Sequence, residues 1–230
     1  MDPQTLPAEA QELYRKIKDR YTIGFESFRP ADDLHLHLLK VTDLEQLLAG
    51  KDPLKNPSEF PFWVRLWEAA VVLSRFMVSL RPAPGTTVLE LGAGLGAPGL
   101  TAAAAGCSVT LTDYEQIILD FSRVSAAASN LDNVQFSLLD WLEPPEMERY
   151  DIILGAEILF RETFFEPLLA VFRRALQPDG VIYLAHDIQL KSLRPFLQLA
   201  EKEYKVSASK RVLKSLEQNK EVLLTRLTPR

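Results

Sequence analysis

The segment VLELGAGLG at residues 88–96 decides the fold, because an apolar run of the strand type passes directly into three closely spaced glycines. Residues 97–100 follow with the pattern of a helix start, with Pro98 in the first turn. Glycines at a strand–helix junction let backbone N–H groups approach a ligand and adopt the positive φ that a tight turn requires. The segment therefore predicts a ligand-binding loop made by four residues: Gly92, Ala93, Gly94 and Gly96.

Around this loop, short apolar runs alternate with helical stretches, which indicates βαβ units and a parallel sheet. The predicted strands lie at residues 87–91, 109–112, 134–138, 151–155, 181–186, 206–212 and 221–227. The last two strands are separated by too few residues for a crossover helix, so we expect them to pair antiparallel. The sequence predicts a doubly wound, Rossmann-like α/β fold, whose seven-stranded sheet is mostly parallel and ends in an antiparallel pair.

The first sixty residues have a different pattern. It predicts one helix at residues 7–20 and two strands at residues 21–28 and 34–41. A polar connection punctuated by prolines leads to residue 61, and a helix is predicted from residue 63 to residue 80. We therefore divide the chain into an N-terminal extension, 1–60, and a main domain, 61–230.

Composition argues against several classes of function. The formal net charge of the 230 residues is −5 and the basic residues form no continuous patch, so no nucleic-acid partner is expected. No apolar run approaches the ~18 residues of a membrane span and the N-terminus lacks a signal-peptide pattern, so we expect a cytoplasmic protein without a membrane partner. Cys107 is the only cysteine, so neither a disulfide nor a metal site is expected. Without heptads or a long apolar stripe, the expected state is a monomer.

The glycine loop alone does not identify its ligand. Gly92-x-Gly94-x-x-Ala97 also fits the dinucleotide fingerprint, so an NAD-dependent oxidoreductase stays open, as does a strand–turn–helix junction without a ligand. Glu90, just before the loop, would repel a pyrophosphate but can hold an ammonium group or anchor the loop amides. A cationic ligand is therefore favoured.

A second carboxylate lies one βαβ step further along the chain. Asp113 ends the next predicted strand, where its two oxygens can accept the hydroxyls of an adenosine ribose. Tyr114 follows it and can lie against the adenine. The alternative for Asp113 is an N-cap of the predicted helix at residues 115–129.

With this glycine motif followed by Asp113, the chain resembles the seven-β-strand (class I) S-adenosylmethionine-dependent methyltransferases. PFWVRLWEAA at 61–70, LDW at 139–141 and GAEILF at 155–160 narrow the resemblance to the branch that contains protein lysine methyltransferases. The resemblance covers residues 61–227 and implies S-adenosylmethionine as cofactor, with S-adenosylhomocysteine as product. It adds four residues to the expected cofactor site: Trp67, Asp140, Trp141 and Ala156. Each tryptophan, taken singly, also fits a position in the core.

That branch carries an acidic-x-x-aromatic motif after the fourth strand, and here Glu157-x-x-Phe160 occupies it. Methyl transfer is a direct displacement, which requires alignment of the reacting groups rather than a covalent catalyst. The motif suggests that Glu157 orients the acceptor amine and that Phe160 lines its channel. The alternative for Glu157 is a cap of the following helix.

The leading hypothesis is an enzyme that N-methylates a lysine side chain of a protein with S-adenosylmethionine. The nearest alternative keeps this cofactor and changes the acceptor to a small-molecule amine, such as a pyridine or an arylamine. More distant alternatives are an NAD-dependent oxidoreductase and a catalytically silent fold used as a binding module.

Overall fold

The computed structural model describes residues 1–48, 61–214 and 219–230. The polar connection that contains the predicted domain boundary, and most of the predicted turn between the last two strands, lie outside these residues. The boundary at residue 60 therefore stays a prediction.

The N-terminal segment forms helices and a β-hairpin. Its elements are α1 (Ala8–Lys18), β1 (Ile23–Ala31), β2 (Leu34–Val41) and the short α2 (Leu44–Leu48). β1 and β2 pair antiparallel as a separate two-stranded sheet. The predicted helix and strands of the extension are confirmed.

The remaining residues form one seven-stranded sheet with five helices. The strands are β3 (Thr87–Leu91), β4 (Ser108–Asp113), β5 (Val134–Leu138), β6 (Tyr150–Ala156), β7 (Leu176–Asp187), β8 (Tyr204–Leu213) and β9 (Lys220–Pro229). The helices are α3 (Glu68–Leu80), α4 (Ala97–Ala104), α5 (Gln116–Ala128), α6 (Phe165–Ala175) and α7 (Leu193–Ala200). The strand order is β5-β4-β3-β6-β7-β9-β8. The first five strands in this order, from β5 at the edge to β7, pair parallel with their neighbours. β9 pairs antiparallel with both β7 and β8. The predicted fold is confirmed.

Helices cover both faces of this sheet, so its central strands are buried. In β3, Val88 packs into the core beneath α3 and α4, while the adjacent Leu89 packs into the core beneath α6 and α7. Phe172 of α6 and Phe196 of α7 are also fully buried. Burial of each such side chain stabilises the fold by about 1.5–3 kcal/mol.

Two predicted boundaries are wrong. Residues Phe62–Val64 form a 3₁₀ turn, and α3 begins only at Glu68. Trp63 and Val64 are apolar because they pack toward α5 and the N-terminal segment, not because they belong to α3. β7 begins at Leu176 rather than at residue 181, because Leu176 pairs with Tyr150 ahead of a register shift.

The chain order of the strands creates a crevice. From β3 the chain passes through α4 to β4 on one side, while β6 lies on the other side of β3. In open α/β sheets, ligands bind at such a reversal, beyond the carboxyl ends of the strands. The glycine loop and Glu157 follow strands that end at this edge, and Asp113 is the last residue of β4.

Candidate active site

The glycine loop turns in left-handed backbone geometry. Gly92, Gly94 and Gly96 have φ angles of +60°, +53° and +72°. A Cβ at Gly92 would also lie 3.1 Å from Cγ2 of Ile158 and 3.4 Å from Cζ2 of Trp141. Glycine is therefore needed at position 92 for conformation and for space.

Hydrogen bonds hold the loop against β4 and α5. The Ala93 N–H donates to the Thr112 carbonyl oxygen at 2.9 Å, and the Gly94 N–H donates to Oδ2 of Asp113 at 3.0 Å. The Ser122 hydroxyl of α5 donates to the Gly94 carbonyl oxygen at 3.0 Å. The loop is therefore fixed by its neighbours on one side of the crevice.

Asp113 is 6% exposed and serves the loop rather than a helix. Its Oδ1 accepts the Tyr114 N–H at 2.8 Å, and α5 begins after Glu115 without a side-chain cap. The N-cap alternative for Asp113 is therefore wrong. Burial raises the pKa of Asp113 to about 6, against the lowering by the N–H groups of Gly94 and Tyr114. A carboxylate has about four acceptor sites, so two remain, which matches the two hydroxyls of a ribose.

Glu90 is more deeply buried, at 2% exposure. Its Oε2 accepts the Gly99 N–H of α4 at 2.8 Å, so the side chain ties the end of β3 to the helix that follows the loop. Burial raises the pKa of Glu90 to about 8, and the negative charge of Asp113 adds to this. Of the two roles considered for Glu90, this geometry favours the anchor of the loop.

The residues expected beside the adenine follow the carboxyl ends of β4 and β5. Tyr114 is 68% exposed, while Trp141 is half-buried and packs edge-on against Phe164, with ring centroids 5.6 Å apart. Asp140 is exposed and its Oδ1 accepts the Leu142 N–H at 2.9 Å. The rings of Tyr114 and Trp141 and the carboxylate of Asp140 thus follow the ends of β4 and β5.

Trp67 precedes α3 and is embedded in a local cluster. Its Nε1 donates to the Phe62 carbonyl oxygen at 2.8 Å, and the Arg65 guanidinium lies over its ring at 4.7 Å. Arg65 also forms an ion pair with Glu68 at 2.9 Å. Two other tryptophans lie beside the glycine loop: Trp141 is next to Gly92, as described above, and the Cα of Trp63 lies 3.7 Å from the position that a Cβ of Gly94 would take.

Glu157 lies at the end of β6, directly after Ala156. It has a φ of +55°, a left-handed conformation that costs a non-glycine residue about 1–2 kcal/mol. Its Oε1 accepts the Asp187 N–H at 2.8 Å, and its own N–H donates to the Ala185 carbonyl oxygen at 3.0 Å. The carboxylate thus bonds the end of β7, and the helix-cap alternative is wrong.

The charge state of Glu157 is perturbed. The net pKa of Glu157 is about 7, raised chiefly by burial. The hydrogen bond from the Asp187 N–H acts to lower this pKa, and repulsion from the carboxylates of Asp187 and Glu68 acts to raise it. None of the ion pairs formed within the described residues includes Glu157. A cation beside Glu157 would therefore favour its ionised form.

Phe160 extends from the same segment into solvent. Its ring is 54% exposed, packs edge-on against Phe164 at 5.5 Å and lies beneath the Arg161 guanidinium at 5.8 Å. The exposed face of such a ring can contact a methyl or ammonium group.

The sequence missed three contributors to this edge. Ile158 fills the space beside Gly92, the backbone of Trp63 lies beside Gly94, and the negative charge of Glu68 acts to raise the pKa of Glu157. Trp63 and Glu68 lie close to Trp67 in the sequence. Their surroundings depend on tertiary packing between distant segments, which residue spacing along the sequence does not predict.

In the ranges 1–48, 61–214 and 219–230, no group of three or more His, Cys, Asp or Glu side chains is arranged to hold a metal ion. Within the same ranges, no helix has the length and apolar character needed to span a membrane.

The features described so far are those of a class I methyltransferase fold. A model of the lysine methyltransferase family matches residues 62–203, more than half of the chain. The chain belongs to the lysine methyltransferase family. The predicted S-adenosylmethionine-dependent methyltransferase activity and its cofactor are thereby confirmed.

Individual relatives show how far the similarity extends. The chain is 34% identical over 153 residues to the protein N-lysine methyltransferase METTL21A of Mus musculus, across 62% of this chain and 68% of the relative. It is 34% identical over 134 residues to the histone-arginine methyltransferase METTL23 of Rattus norvegicus, across 55% of this chain and 60% of the relative.

A solved structure shows the same fold. The precorrin-6y C5,15-methyltransferase of Geobacter metallireducens matches 74% of this chain and 92% of its own length, with a TM-score of 0.60 and 16% identity. At this identity the likeness bears on the fold and not on the substrate.

Proposed function

We propose that this enzyme transfers a methyl group to the Nζ atom of a lysine in a protein, and that Glu157 and Phe160 hold the acceptor. The observation that carries the proposal is the carboxylate of Glu157, which is held at the crevice by the Asp187 N–H and is paired with no cation of the described chain. A lysine ammonium group would supply the missing cation, and its nitrogen becomes the nucleophile once it has lost one proton to solvent. The relative METTL21A is a protein N-lysine methyltransferase, which agrees with this acceptor.

The residues of the cofactor pocket fit an adenosyl compound with a positive charge. The left-handed glycines allow close approach to the backbone, and Asp113 retains acceptor capacity for the ribose hydroxyls. Tyr114, Asp140 and Trp141 would flank the adenine. Asp113 would serve the adenosine ribose of NAD equally well, so it is the match to a methyltransferase family that disfavours NAD.

The remaining proposed contacts lie nearer the reacting end of the cofactor. Ala156 is small and lies at the end of β6, so the cofactor could pass beside the backbone there. Trp67, just before α3, would form a wall of the cofactor site. When bound, S-adenosylmethionine supplies an electrophilic methyl group. Glu90 would act indirectly, because its hydrogen bond from the Gly99 N–H holds α4 and the glycine loop in place.

On the acceptor side, the protein has to orient an amine and keep it unprotonated. Glu157 would accept a hydrogen bond from the amine, and the Asp187 N–H would hold the carboxylate in position. Phe160 and its neighbour Phe164 form an apolar wall, and desolvation against such a wall lowers the pKa of an amine. Glu157 would then supply the alignment, while the apolar wall would favour the neutral nucleophile against the opposing effect of the carboxylate charge.

Labelling tests the acceptor. The purified enzyme is incubated with methyl-labelled cofactor and a cell lysate that has been separated by gel filtration into protein and small-molecule fractions. We expect label in protein, on lysine Nζ by mass spectrometry. Label confined to the small-molecule fraction, or to arginine, would contradict the proposal.

A pair of variants tests the role of Glu157. Glu157→Gln is expected to lower transfer by about 10–100-fold, the loss typical of a charge-assisted hydrogen bond, with S-adenosylhomocysteine binding retained. Glu162→Gln, an exposed carboxylate five residues further on, is the matched control and is expected to keep the wild-type rate. Equal rates for Glu157→Gln and wild type would remove the proposed role.

We also propose a monomeric enzyme that works in the cytoplasm. Cys107 is a free, buried thiol, which suits a reducing compartment. Light scattering of the purified chain and imaging of a tagged protein in its own cell test these two statements.

A further inference from the structure

The hairpin of β8 and β9 ends the sheet in a ribbon that the rest of the described chain leaves largely uncovered. β8 is an edge strand, and its residues 207–212 are all exposed, so neither face of this part of the strand is buried beneath a helix. A strand at the edge of a sheet presents a row of N–H and C=O groups that no further strand pairs with. The ribbon therefore has a free edge and two open faces.

The hydrogen bonds between β8 and β9 determine which backbone groups face this free edge. The Arg230 N–H donates to the Glu203 carbonyl oxygen at 3.2 Å, so the carbonyl group just before β8 points toward β9. Because backbone groups alternate between the two sides of a strand and the register of the pair is constant, the odd-numbered residues of β8 also bond β9. The N–H and C=O groups of Ala208, Lys210 and Val212 therefore point toward the free edge.

The ribbon is basic although the protein as a whole is acidic. Residues 204–230 carry seven basic side chains and two acidic ones, whereas the whole chain has a formal net charge of −5. Lys220 pairs with Leu213, and Arg211 lies two residues before Leu213, so both cations lie on one face. Lys214 follows directly after β8. None of the ion pairs formed within the described residues includes these three cations, which we call the basic end.

The basic end lies at the same edge of the sheet as the candidate active site. Arg211 is in register with Val222 of β9, which is in register with Asp187 of β7. The Asp187 N–H in turn holds the carboxylate of Glu157. Adjacent strands lie about 4.8 Å apart, so a strand added outside β8 would lie roughly 19 Å across the sheet from β6, which Glu157 follows. An extended chain of about six residues spans this distance.

We propose that the free edge of β8 and the basic end form a docking site for an acidic, extended segment of the substrate protein. This inference rests on the proposed function, because it takes the occupant to be the substrate. Main-chain hydrogen bonds would hold the segment as an added strand, and its carboxylates would pair with the cations of the basic end. A second copy of this chain would place one basic edge against another, which like-charge repulsion opposes. The acceptor lysine then lies about six residues or more from the acidic segment.

Titration with synthetic peptides tests the docking site without turnover. The probe is a fluorescein-labelled peptide in which glutamate alternates with threonine, and the matched peptide carries glutamine in place of glutamate. By fluorescence anisotropy with the full chain, the acidic peptide is expected to bind about tenfold more tightly than the glutamine peptide. Equal affinities, or no binding of either peptide, would show that the charges only keep the edge from pairing, and would overturn the proposal.

Two pairs of variants locate the site on the protein. The double variant Arg211→Gln/Lys214→Gln is expected to weaken binding of the acidic peptide about tenfold, since each exposed charge contributes about twofold to fivefold. Its control, Lys18→Gln/Arg29→Gln, removes two exposed cations of the N-terminal segment and is expected to match wild type. Val212→Pro removes an N–H that faces the free edge and is expected to weaken binding about fivefold, whereas Val212→Thr keeps this N–H and the wild-type affinity. Equal affinities within either pair would overturn the proposal.

Two other occupants of the ribbon are distinguished with the same proteins. Tighter binding of a single-stranded RNA oligonucleotide of equal formal charge would assign the ribbon to nucleic acid. A dimer in light scattering that Val212→Pro converts to a monomer would assign the free edge to a second copy of this chain. Either result would overturn the proposal.

Labelling then connects the site with the substrate. In Arg211→Gln/Lys214→Gln, the concentration of lysate protein that gives half-maximal labelling is expected to rise about tenfold. The maximal rate and the dissociation constant for S-adenosylhomocysteine are expected to stay within about threefold of wild type, because the lost contacts bind the substrate away from the reacting groups. The acidic peptide is expected to inhibit protein labelling competitively. A peptide that binds without inhibiting would show that the edge does not hold the substrate, and would overturn the proposal.

The outcomes also separate the two proposals. If wild type labels no lysine in protein, the proposed function fails and this inference fails with it. If wild type labels lysine and Arg211→Gln/Lys214→Gln saturates at the same lysate concentration, only the docking site is lost.

Discussion

Replacing Glu90 by glutamine should change how the stability of this enzyme depends on pH. Burial raises the pKa of Glu90 from 4.5 to about 8 in the folded protein. A group whose pKa is raised by folding contributes stability that is fully present below the unfolded pKa and is lost as the pH rises through the folded pKa. The window for Glu90 therefore runs from about pH 4.5 to about pH 8.

The size of the effect follows from the width of this window. Each pKa unit corresponds to about 1.4 kcal/mol, so about 3.5 units correspond to about 5 kcal/mol across the whole window. Glutamine keeps an oxygen for the Gly99 N–H and does not titrate. The difference in unfolding free energy between Glu90→Gln and wild type should therefore rise by about 3–4 kcal/mol from pH 5 to pH 8.

Denaturant unfolding of the cofactor-free protein at several pH values measures this difference. Subtraction of wild type removes the contribution of every titrating group that does not interact with Glu90, which leaves the coupling to Asp113 as a smaller part of the difference. Glu203→Gln is the matched control, and its difference from wild type is expected to stay within about 0.5 kcal/mol. A difference for Glu90→Gln that is flat, or that falls with pH, would show that the buried carboxylate is not held as described.

Four further predictions concern the pocket. Asp113→Asn should weaken S-adenosylhomocysteine binding about 10–100-fold by calorimetry, because one acceptor oxygen is lost; unchanged affinity would contradict the ribose contact. Gly99→Ala should destabilise the fold by about 1–3 kcal/mol in denaturant, since its Cβ would lie 2.2 Å from Leu111 Cδ2 and 2.5 Å from Glu90 Oε2. An unchanged midpoint would refute that packing. Phe160→Ala should keep the thermal midpoint, because the ring is exposed, yet lower labelling about tenfold; equal labelling would exclude the channel role. Because the raised pKa values of Asp113 and Glu157 leave them protonated at pH 5, affinity for the cationic cofactor relative to its neutral product should increase toward pH 8. A constant ratio would contradict this.

The strands and the glycine loop were predictable because they are encoded locally. Val88, Leu89 and Leu91 place apolar side chains on both faces of a buried strand. Three glycines after this strand predict a turn with positive φ, which Gly92 adopts. The antiparallel closing pair followed from the short connection between its strands.

The errors arose where packing between distant segments determines the structure. Trp63 has helical spacing to the apolar residues of α3, yet its ring packs on Phe121 at 5.0 Å and on Tyr21 of the N-terminal segment. Of the candidate site, the residue types at the strand ends were predictable, whereas their partners were not.

The most direct test of this account is a crystal structure with S-adenosylhomocysteine bound. The ribose hydroxyls are expected to bind the carboxylate of Asp113, and the amino-acid part of the product is expected to lie against Gly92 and Gly94. The sulfur is expected on the side of the pocket that faces Glu157. A product molecule bound elsewhere, or one whose sulfur faces away from Glu157, would contradict the assignment of both halves of the site.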